Sequence, residues 1–398
     1  MMTYLNFNCN IEIKENVLGL NLEEFLEIAV RNNEKRRFLF VSKVLGKHIA
    51  CRAKDMDNLG KLIVKAYNKK RNPSSGVVIS FAETGTAIGH SVFNYMENDY
   101  EFLHTTRENV TDFESLDFLE EHSHATNHNL YFNKMKNFEF GEEIVLVDDE
   151  VTTANTCINL IKKIHKLYPK KRYTICSILN WVEGENLKRI EQLEKDLNCS
   201  IEFVYLFKGE FEFKLNDLNI NDDKIKNDKF IEDKDKNLQI NYIKLDMDDY
   251  IGEQRYVKYT GRFGINKIEQ KKLKDIVKKE SKKLSIEDKN VEVLFLGTEE
   301  FMYIPMLFAK YCQGNIYYYS TTRSPIINID KNDYPIKSKF ELNSLYNKKV
   351  KNYLYNIDKK DYKECFLFVE FNEDKKVFEE IINIFKQTSI EKLNIVCC

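Results

Sequence analysis

The apolar run Ile144–Val147 ends in two adjacent carboxylates, Asp148 and Asp149. Two spacers later comes the small, hydroxyl-rich stretch Thr152-Thr153-Ala154-Asn155-Thr156. Successive backbone N–H groups and threonine hydroxyls at a helix N-terminus make a cradle for a phosphate, assisted by the helix dipole. Carboxylates beside a phosphate would repel it, so they must face another part of the same ligand. Sugar hydroxyls or the water shell of a Mg²⁺ ion suit them. An acidic strand end before a threonine-capped helix is the plain structural alternative for either part alone. Both parts at this spacing favour a ligand.

A second loop, Ala82-Glu83-Thr84-Gly85-Thr86, follows the apolar run Gly76–Phe81. It can present N–H groups to an anion, although a simple strand-to-helix turn would read the same way. Glu83 suits Mg²⁺ or a backbone N–H better than an anion. Upstream, Lys43 and Lys47 flank Gly46 at the end of RFLFVSKV, where cations can meet an anion or simply solvate a strand end. Between the two loops, His104–His128 holds Arg107 and four of the seven histidines, with Glu121, His122 and His124 close together. A metal site there would lack a cysteine or second acidic cluster, and its i,i+2 spacing is not helical ligand spacing. A polar surface loop is the bland alternative.

VLVDDEVTTANT resembles the PRPP-binding motif of type I phosphoribosyltransferases: an apolar strand, two acidic residues, two spacers, then T-T-G-x-T. LFVSKVLGKHI, FAETGTAIGH, HTTRE, EEHSHATNH and, far downstream, STTRSP (Ser320 to Pro325) accompany it in order. Together they are similar to the phosphoribosyltransferases found with tellurite-resistance gene clusters, orotate-phosphoribosyltransferase-like and fused to a C-terminal TRSP domain. The resemblance implies Mg²⁺-dependent transfer of the 5-phosphoribosyl group of PRPP to a nitrogenous, nucleobase-like acceptor, with release of pyrophosphate. It implies a biosynthetic or stress-resistance module making a nucleoside-like product. Asp148 and Asp149 would contact the ribose hydroxyls, directly or through Mg²⁺-bound water, and Thr152, Thr153, Ala154, Asn155 and Thr156 would hold the 5-phosphate. Glu83, Thr84 and Gly85 would face pyrophosphate, with Lys43 and Lys47 nearby. Arg107, Glu121, His122 and His124 would sit on a loop that closes over PRPP and excludes water. Ala154 stands where the family has Gly, a change that is cheap only at negative φ. A PRPP- or nucleotide-sensing module without turnover would carry the same cradle and is the rival reading.

These residues need a rigid frame, and the sequence around them alternates strand and helix patterns. Arg37–Val44, Gly76–Phe81, Tyr100–Thr105, Glu142–Val147, Tyr173–Leu179 and the run from Ile201 read as strands. Leu22–Val30 (with Asn21 as cap), Asp57–Tyr67, Ser91–Met96, Cys157–Leu167 and Asn186–Leu197 read as helices. Continuous apolar strands between helices predict an α/β fold with a parallel sheet flanked by helices, its ligand at the carboxyl ends of the strands. The charge-dense segment Asp222–Lys236 marks a linker, giving domains 1–212 and 241–398 joined by 213–240. The second half repeats the plan of the first. Lys258-x-x-Gly261-Arg262 parallels Lys43-x-x-Gly46-Lys47, and Arg323 takes the place of Arg107. Glu370-Phe371 replaces the acidic pair, and the threonine turn is gone. A worn copy of this kind keeps an anion-facing site at Gly297, Thr298, Arg323 and Ser324 but cannot hold PRPP.

The 398 residues, 43% hydrophobic and 13% aromatic, are enough for two cores. Sixty-one basic against 63 acidic residues leave a net charge of −2, which argues against nucleic acid as partner. No apolar run is long enough to span a bilayer, and no signal pattern opens the chain. Nine cysteines without C-x-x-C spacing fit a reduced, cytoplasmic enzyme. Expected partners are PRPP and an unidentified small-molecule acceptor, and a homodimer is compatible with the sequence.

Overall fold

Successive side chains of a strand face opposite sides of a sheet. On Val77-Val78-Ile79 and Ile144-Val145-Leu146-Val147 both sides are fully buried. Such strands need cover on both faces, which helical crossovers supply. The computed structural model describes the chain except residues 1, 5–6, 32, 34–35, 73, 111–112, 114, 120–126, 133–134, 216–236 and 372–373. In the first half the elements are β1 (Met2–Tyr4), β2 (Phe7–Asn16), β3 (Leu26–Val30), β4 (Phe38–Ser42), α1 (Ala53–Lys70), β5 (Ser75–Ser80), α2 (Gly85–Tyr95), β6 (Asp99–His104), β7 (Leu116–Leu119) and β8 (Asn127–Leu130). They continue with α3 (Lys136–Phe140), β9 (Glu143–Val147), β10 (Glu150–Val151), α4 (Asn155–Leu167), β11 (Arg172–Asn180), α5 (Gly184–Leu197) and β12 (Ser200–Leu215). The second half has β13 (Gln239–Lys244), β14 (Tyr250–Ile251), β15 (Tyr256–Val257), α6 (Lys267–Glu280), β16 (Glu292–Gly297), α7 (Tyr303–Tyr311), β17 (Asn315–Ser320), β18 (Lys339–Asn343), β19 (Lys351–Tyr355), β20 (Tyr362–Val369), α8 (Glu379–Phe385) and β21 (Lys392–Cys397).

The first sheet runs β1-β2-β12-β11-β9-β5-β6, with β10 beside β11. From β12 to β6 all pairings are parallel, and β2 adds antiparallel to β12. The chain order reverses between β5 and β9. In such a sheet the crevice at that reversal is where a ligand sits. The second sheet runs β13-β21-β20-β16-β17, parallel throughout. Its β17-β16-β20-β21 repeats β6-β5-β9-β11. Each half also inserts an antiparallel hairpin at the same point, β7–β8 and β18–β19. The second sheet is therefore a copy of the first in strand order, as the repeated motifs predict.

The two halves do not keep separate cores. Val78, Val145, Val147 and Cys176 on one sheet, and Val293, Phe295, Phe366 and Phe368 on the other, belong to one buried cluster with residues of α1, α2, α6 and α7. These four helices form a common layer between two sheets. The outer faces are closed separately, by α4 and α5 on the first sheet and by α8 on the second. The expected division near 212–241 thus lies between two sheets but not between two cores. The charged stretch Asp222–Lys236 lies outside the described residues.

Two elements differ from the sequence reading. Leu22–Glu24 is a single 3₁₀ turn capped by Asn21, and Leu26–Val30 is then a strand paired with β4. Its apolar residues at near-helical spacing serve a half-turn and a short strand equally well. Phe7–Asn16, unassigned in sequence, is the antiparallel strand that extends the sheet beyond β12.

Candidate active site

Two loops meet at the crevice between β5 and β9. After β9, Asp148 N donates to Cys176 O at 3.0 Å, and Asp149 O accepts from Ile178 N and Leu179 N at 3.1 and 3.2 Å. The carboxylate pair is thereby fixed to β11 by its backbone, leaving the side chains half-buried at the strand end. Asp148 Oδ1 also accepts from Asp149 N at 2.9 Å. Burial raises the pKa of Asp149, opposed by Asp148 and by the nearby Arg36. Arg36, at the tip of the β3–β4 hairpin, grips both oxygens of Glu150 at 2.8 and 2.6 Å, so that hairpin overhangs the acidic end of the crevice. Sequence reasoning passed over Arg36, whose partner is 114 residues away.

Thr152, Thr153 and Ala154 then lead into α4. Among the described residues their N–H groups bond no other backbone group, the N-cap residue Ala154 supplies no side-chain cap, and Asn155 N reaches Thr153 Oγ1 at 3.4 Å. An uncapped N-terminus with a dipole behind it is suited to an anion. Ala154 has φ 59°, the left-handed region. That conformation costs an alanine about 1–2 kcal/mol, so the condition for a cheap replacement of Gly is not met.

Across the crevice, a Cβ on Gly85 would lie 3.4 Å from Asp148 Oδ1, so the two loops abut. Ala82 N donates to Thr105 Oγ1 at 2.8 Å, Thr86 Oγ1 donates to Glu83 O at 3.1 Å, and the Ala82–Glu83 peptide is cis. Glu83 is buried, 3.1 Å from Lys47 Nζ, and accepts from Arg323 N at 3.3 Å. Burial alone would raise its pKa, but Lys47, Arg107 and Arg323 together lower it. Arg323 is itself paired with Glu299, so around this loop buried cations and carboxylates from both halves face one another.

Lys47 is 1% exposed. Its ammonium donates to Glu299 O and Thr321 O, both at 2.7 Å, besides facing Glu83. Burial lowers its pKa and Glu83 works against that. Lys43 is not brought into the site: its ammonium lies 2.9 Å from Glu23 O and pairs with Glu27. The intervening Gly46, at φ 65°, turns the chain so that the two lysines part. Arg107 closes β6 beside the Glu83 loop, its N–H on Glu300 Oε1 at 2.8 Å. Glu121, His122 and His124 lie outside the described residues. His104 and His128 are buried and bonded to Thr105, and burial pushes His104 down to about 4. Among the described residues no three His, Cys, Asp or Glu side chains cluster as a metal site.

The site expected at Gly297, Thr298, Arg323 and Ser324 does not stand open in the second half. Arg323 is paired with Glu299, whose other oxygen accepts from Ser344 and from Asn352 at 2.9 Å. Thr298 Oγ1 is spent on Tyr346 and Phe368 O, at 2.6 and 3.1 Å. Sheet register aligns Val369 and Glu370, rather than Glu370 and Phe371, with Asp148 and Asp149. Glu370 is bound by Arg262 at 2.8 Å, and Asp374 caps the following turn through Lys376 N. The protein's own carboxylates fill this copy. The Glu299-Glu300 pair was the visible signal for it.

Fold and site together define a doubly wound α/β protein in which a helix N-terminus, a carboxylate pair and a loop flanked by Lys47, Arg107 and Arg323 meet at one crevice. Residues 25–210 match the model of a phosphoribosyl transferase family, and residues 259–385 match the TRSP domain found C-terminal to that transferase. Among solved structures the chain is similar to adenine phosphoribosyltransferase from Trypanosoma brucei in complex with AMP, pyrophosphate and ribose-5-phosphate, at 11% identity over 46% of this chain and 76% of that one, with a TM-score of 0.33. The enzyme from Giardia lamblia complexed with 9-deazaadenine is similar at 15% identity over 46% and 93%, TM-score 0.32. That from Thermoanaerobacter pseudethanolicus is similar at 15% over 47% and 99%, TM-score 0.32. No curated protein sequence matches the chain. Among the described residues no helix is long and apolar enough to cross a membrane.

Proposed function

We propose that the chain transfers the 5-phosphoribosyl group of PRPP to a nitrogenous, nucleobase-like small molecule, releasing pyrophosphate. The observation that carries this reading is the meeting of a helix N-terminus, the Asp148–Asp149 pair and the Glu83 loop flanked by Lys47, Arg107 and Arg323 in one crevice. The 5-phosphate rests on the N–H groups of Thr152–Thr156. The carboxylates take the ribose hydroxyls, and the pyrophosphate faces Lys47, Arg107 and the loop at Glu83-Thr84-Gly85. The protein's contribution is to hold C1′ in line with the acceptor nitrogen and to neutralise charge growing on the leaving pyrophosphate. Asp148 and Asp149 fit a Mg²⁺ ion that is held mainly by substrate oxygens and water, as this cation is with one or two carboxylates. Bound there, it would supply further neutralisation of the diphosphate. The acceptor enters under the β3–β4 hairpin, and a cytoplasmic role in a nucleoside-like biosynthetic or stress-resistance module accords with such a substrate.

The test replaces Asp148 and Asp149 together with asparagine. Calorimetric affinity for PRPP with Mg²⁺, and pyrophosphate release with nucleobases and extract fractions as acceptors, should both collapse while the melting temperature holds. Undiminished affinity in the double variant refutes the assignment.

A further inference from the structure

The halves repeat one another bond for bond. Thr105 N donates to Ser80 O at 2.8 Å, and Thr321 N to Gly297 O at 3.1 Å. Thr105 Oγ1 accepts from Ala82 N at 2.8 Å, and Thr321 Oγ1 from Glu299 N at 2.9 Å. Glu108 N and Ser324 N each bond the threonine hydroxyl two residues back, at 3.1 and 3.2 Å. Tyr131 OH donates to Glu108 O at 3.1 Å and accepts from Val110 N at 2.7 Å. Tyr355 OH donates to Ser324 O at 2.6 Å and accepts from Ile326 N at 2.8 Å. Hydrogen bonding alone therefore equates Arg107 with Arg323 and Glu108 with Ser324. The same register equates Glu83 with Glu300.

Contacts between the halves are exchanged in the same pairs. Cys51 and Tyr318 share two backbone bonds, at 2.9 and 2.7 Å, and Ile265 and Phe102 share two at 2.8 Å. A Cβ on Gly46 would strike the Tyr318 ring at 2.5 Å, and one on Gly261 the Phe102 ring at 2.3 Å. Arg107 N donates to Glu300, and Arg323 N to Glu83. When residue i meets j and the counterpart of j meets the counterpart of i, the interface is that of a two-fold dimer. Here the two-fold lies within one chain.

Under such a two-fold each half walls the other's site. The pocket of the second half is lined by Thr298–Phe301 and Glu370, and one residue of the first half, Glu108, completes it. Its counterpart is Ser324. We propose that the turn Thr322-Arg323-Ser324 of the TRSP half is a wall of the first half's diphosphate site. Ser324 faces the ligand where Glu108 faces the sealed pocket, and the main-chain N–H of Arg323 holds Glu83. The ligand class follows from the functional reading above, on which this inference rests.

Full-length Ser324→Glu is the direct test, because it copies Glu108 into a position with the same backbone bonds. Affinity for PRPP with Mg²⁺ should fall about tenfold or more through charge repulsion, at an unchanged melting temperature. Glu108→Ser, the mirror change in the sealed pocket, should leave affinity within about twofold. Affinity within about twofold for folded Ser324→Glu overturns the proposal. If that variant does not fold, Ser324→Cys carrying an anionic or a neutral thiol adduct replaces it: weakening by either supports the wall, and weakening by neither overturns it. A wild type that binds no PRPP refutes the functional reading separately, and the wall is then tested with pyrophosphate alone. A wild type that binds neither overturns both.

Discussion

Lys47→Met removes a buried cation whose three oxygen partners come from both halves. Breaking one side of a buried ion pair costs about 3–5 kcal/mol. Arg107 and Arg323 remain near Glu83, and methionine fills the vacated volume, which places this change at the low end, about 3 kcal/mol. With an unfolding entropy of about 2.1 cal/mol/K per residue, and a shared core melting as one unit, the melting temperature should drop by about 4 °C. The deficit should also depend on pH. The folded pKa of Glu83 lies below its ordinary value of 4.5. The unfolded chain therefore binds the extra proton, and the stability from this carboxylate is present above pH 4.5 and lost as pH falls through the folded value. Much of that belongs to Lys47, so wild type and variant should converge on acidification from about pH 7 to about pH 3. Differential scanning calorimetry across that range is the assay. A variant that melts within about 1 °C of wild type at neutral pH refutes the buried charge pair. A gap that does not change with pH refutes the role of Glu83.

Two further outcomes follow from the exchanged contacts. Gly46→Ala and Gly261→Ala should both destabilise, by about 2 kcal/mol or more, because each adds strain at positive φ to a collision with a ring of the other half; thermal melts of the two variants should move together, and tolerance of either would contradict the reciprocal docking. Specific cleavage at a protease site introduced within 216–236 should leave the halves associated through gel filtration without denaturant, since α1, α2, α6 and α7 form one layer; separation of the fragments would mean that the shared core is too weak to hold them.

The position of the carboxylate pair and the threonine turn was legible because it depends only on local sequence: a buried strand, its end and the next helix. The repeat was legible for the same reason, as Lys-x-x-Gly-basic and T-T-R recur with their strands. What the sequence could not show is which residue faces which neighbour. Lys43 and Lys47 are chemically alike, and only the turn at Gly46 sends one to Glu27 and the other under the Glu83 loop. Arg323 was recognisable as the counterpart of Arg107, yet its assignment to a site of its own half failed. Long-range packing across the two-fold decides that contact, and no spacing within one half encodes it. The Leu22–Val30 segment was misread because a short apolar stretch fits a turn and a strand as well as a helix.

The difference between the copies reduces to charge. Around Arg262 the second site gathers Glu300, Glu370 and, on the same pocket, Glu299 and Glu108, while Asp374 caps the turn that follows. In the first site the counterparts of Glu299 and Glu108 are Ala82 and Ser324, and α4 begins uncapped at Ala154. On the acidic side Asp148, opposite Val369, and Glu150, opposite Phe371, are added, the latter held by Arg36. Buried cations need partners, because an unpaired one loses solvation without return. The second copy answers that need from carboxylates of both halves and is closed to anions. The first sets Lys47, Arg107 and Arg323 around Glu83, with Arg323 also paired to Glu299, and a helix terminus faces the same crevice. Phosphate groups would complete the charge balance there that extra carboxylates complete in the sealed copy, which is why one chain with two related folds should present one working site built by both.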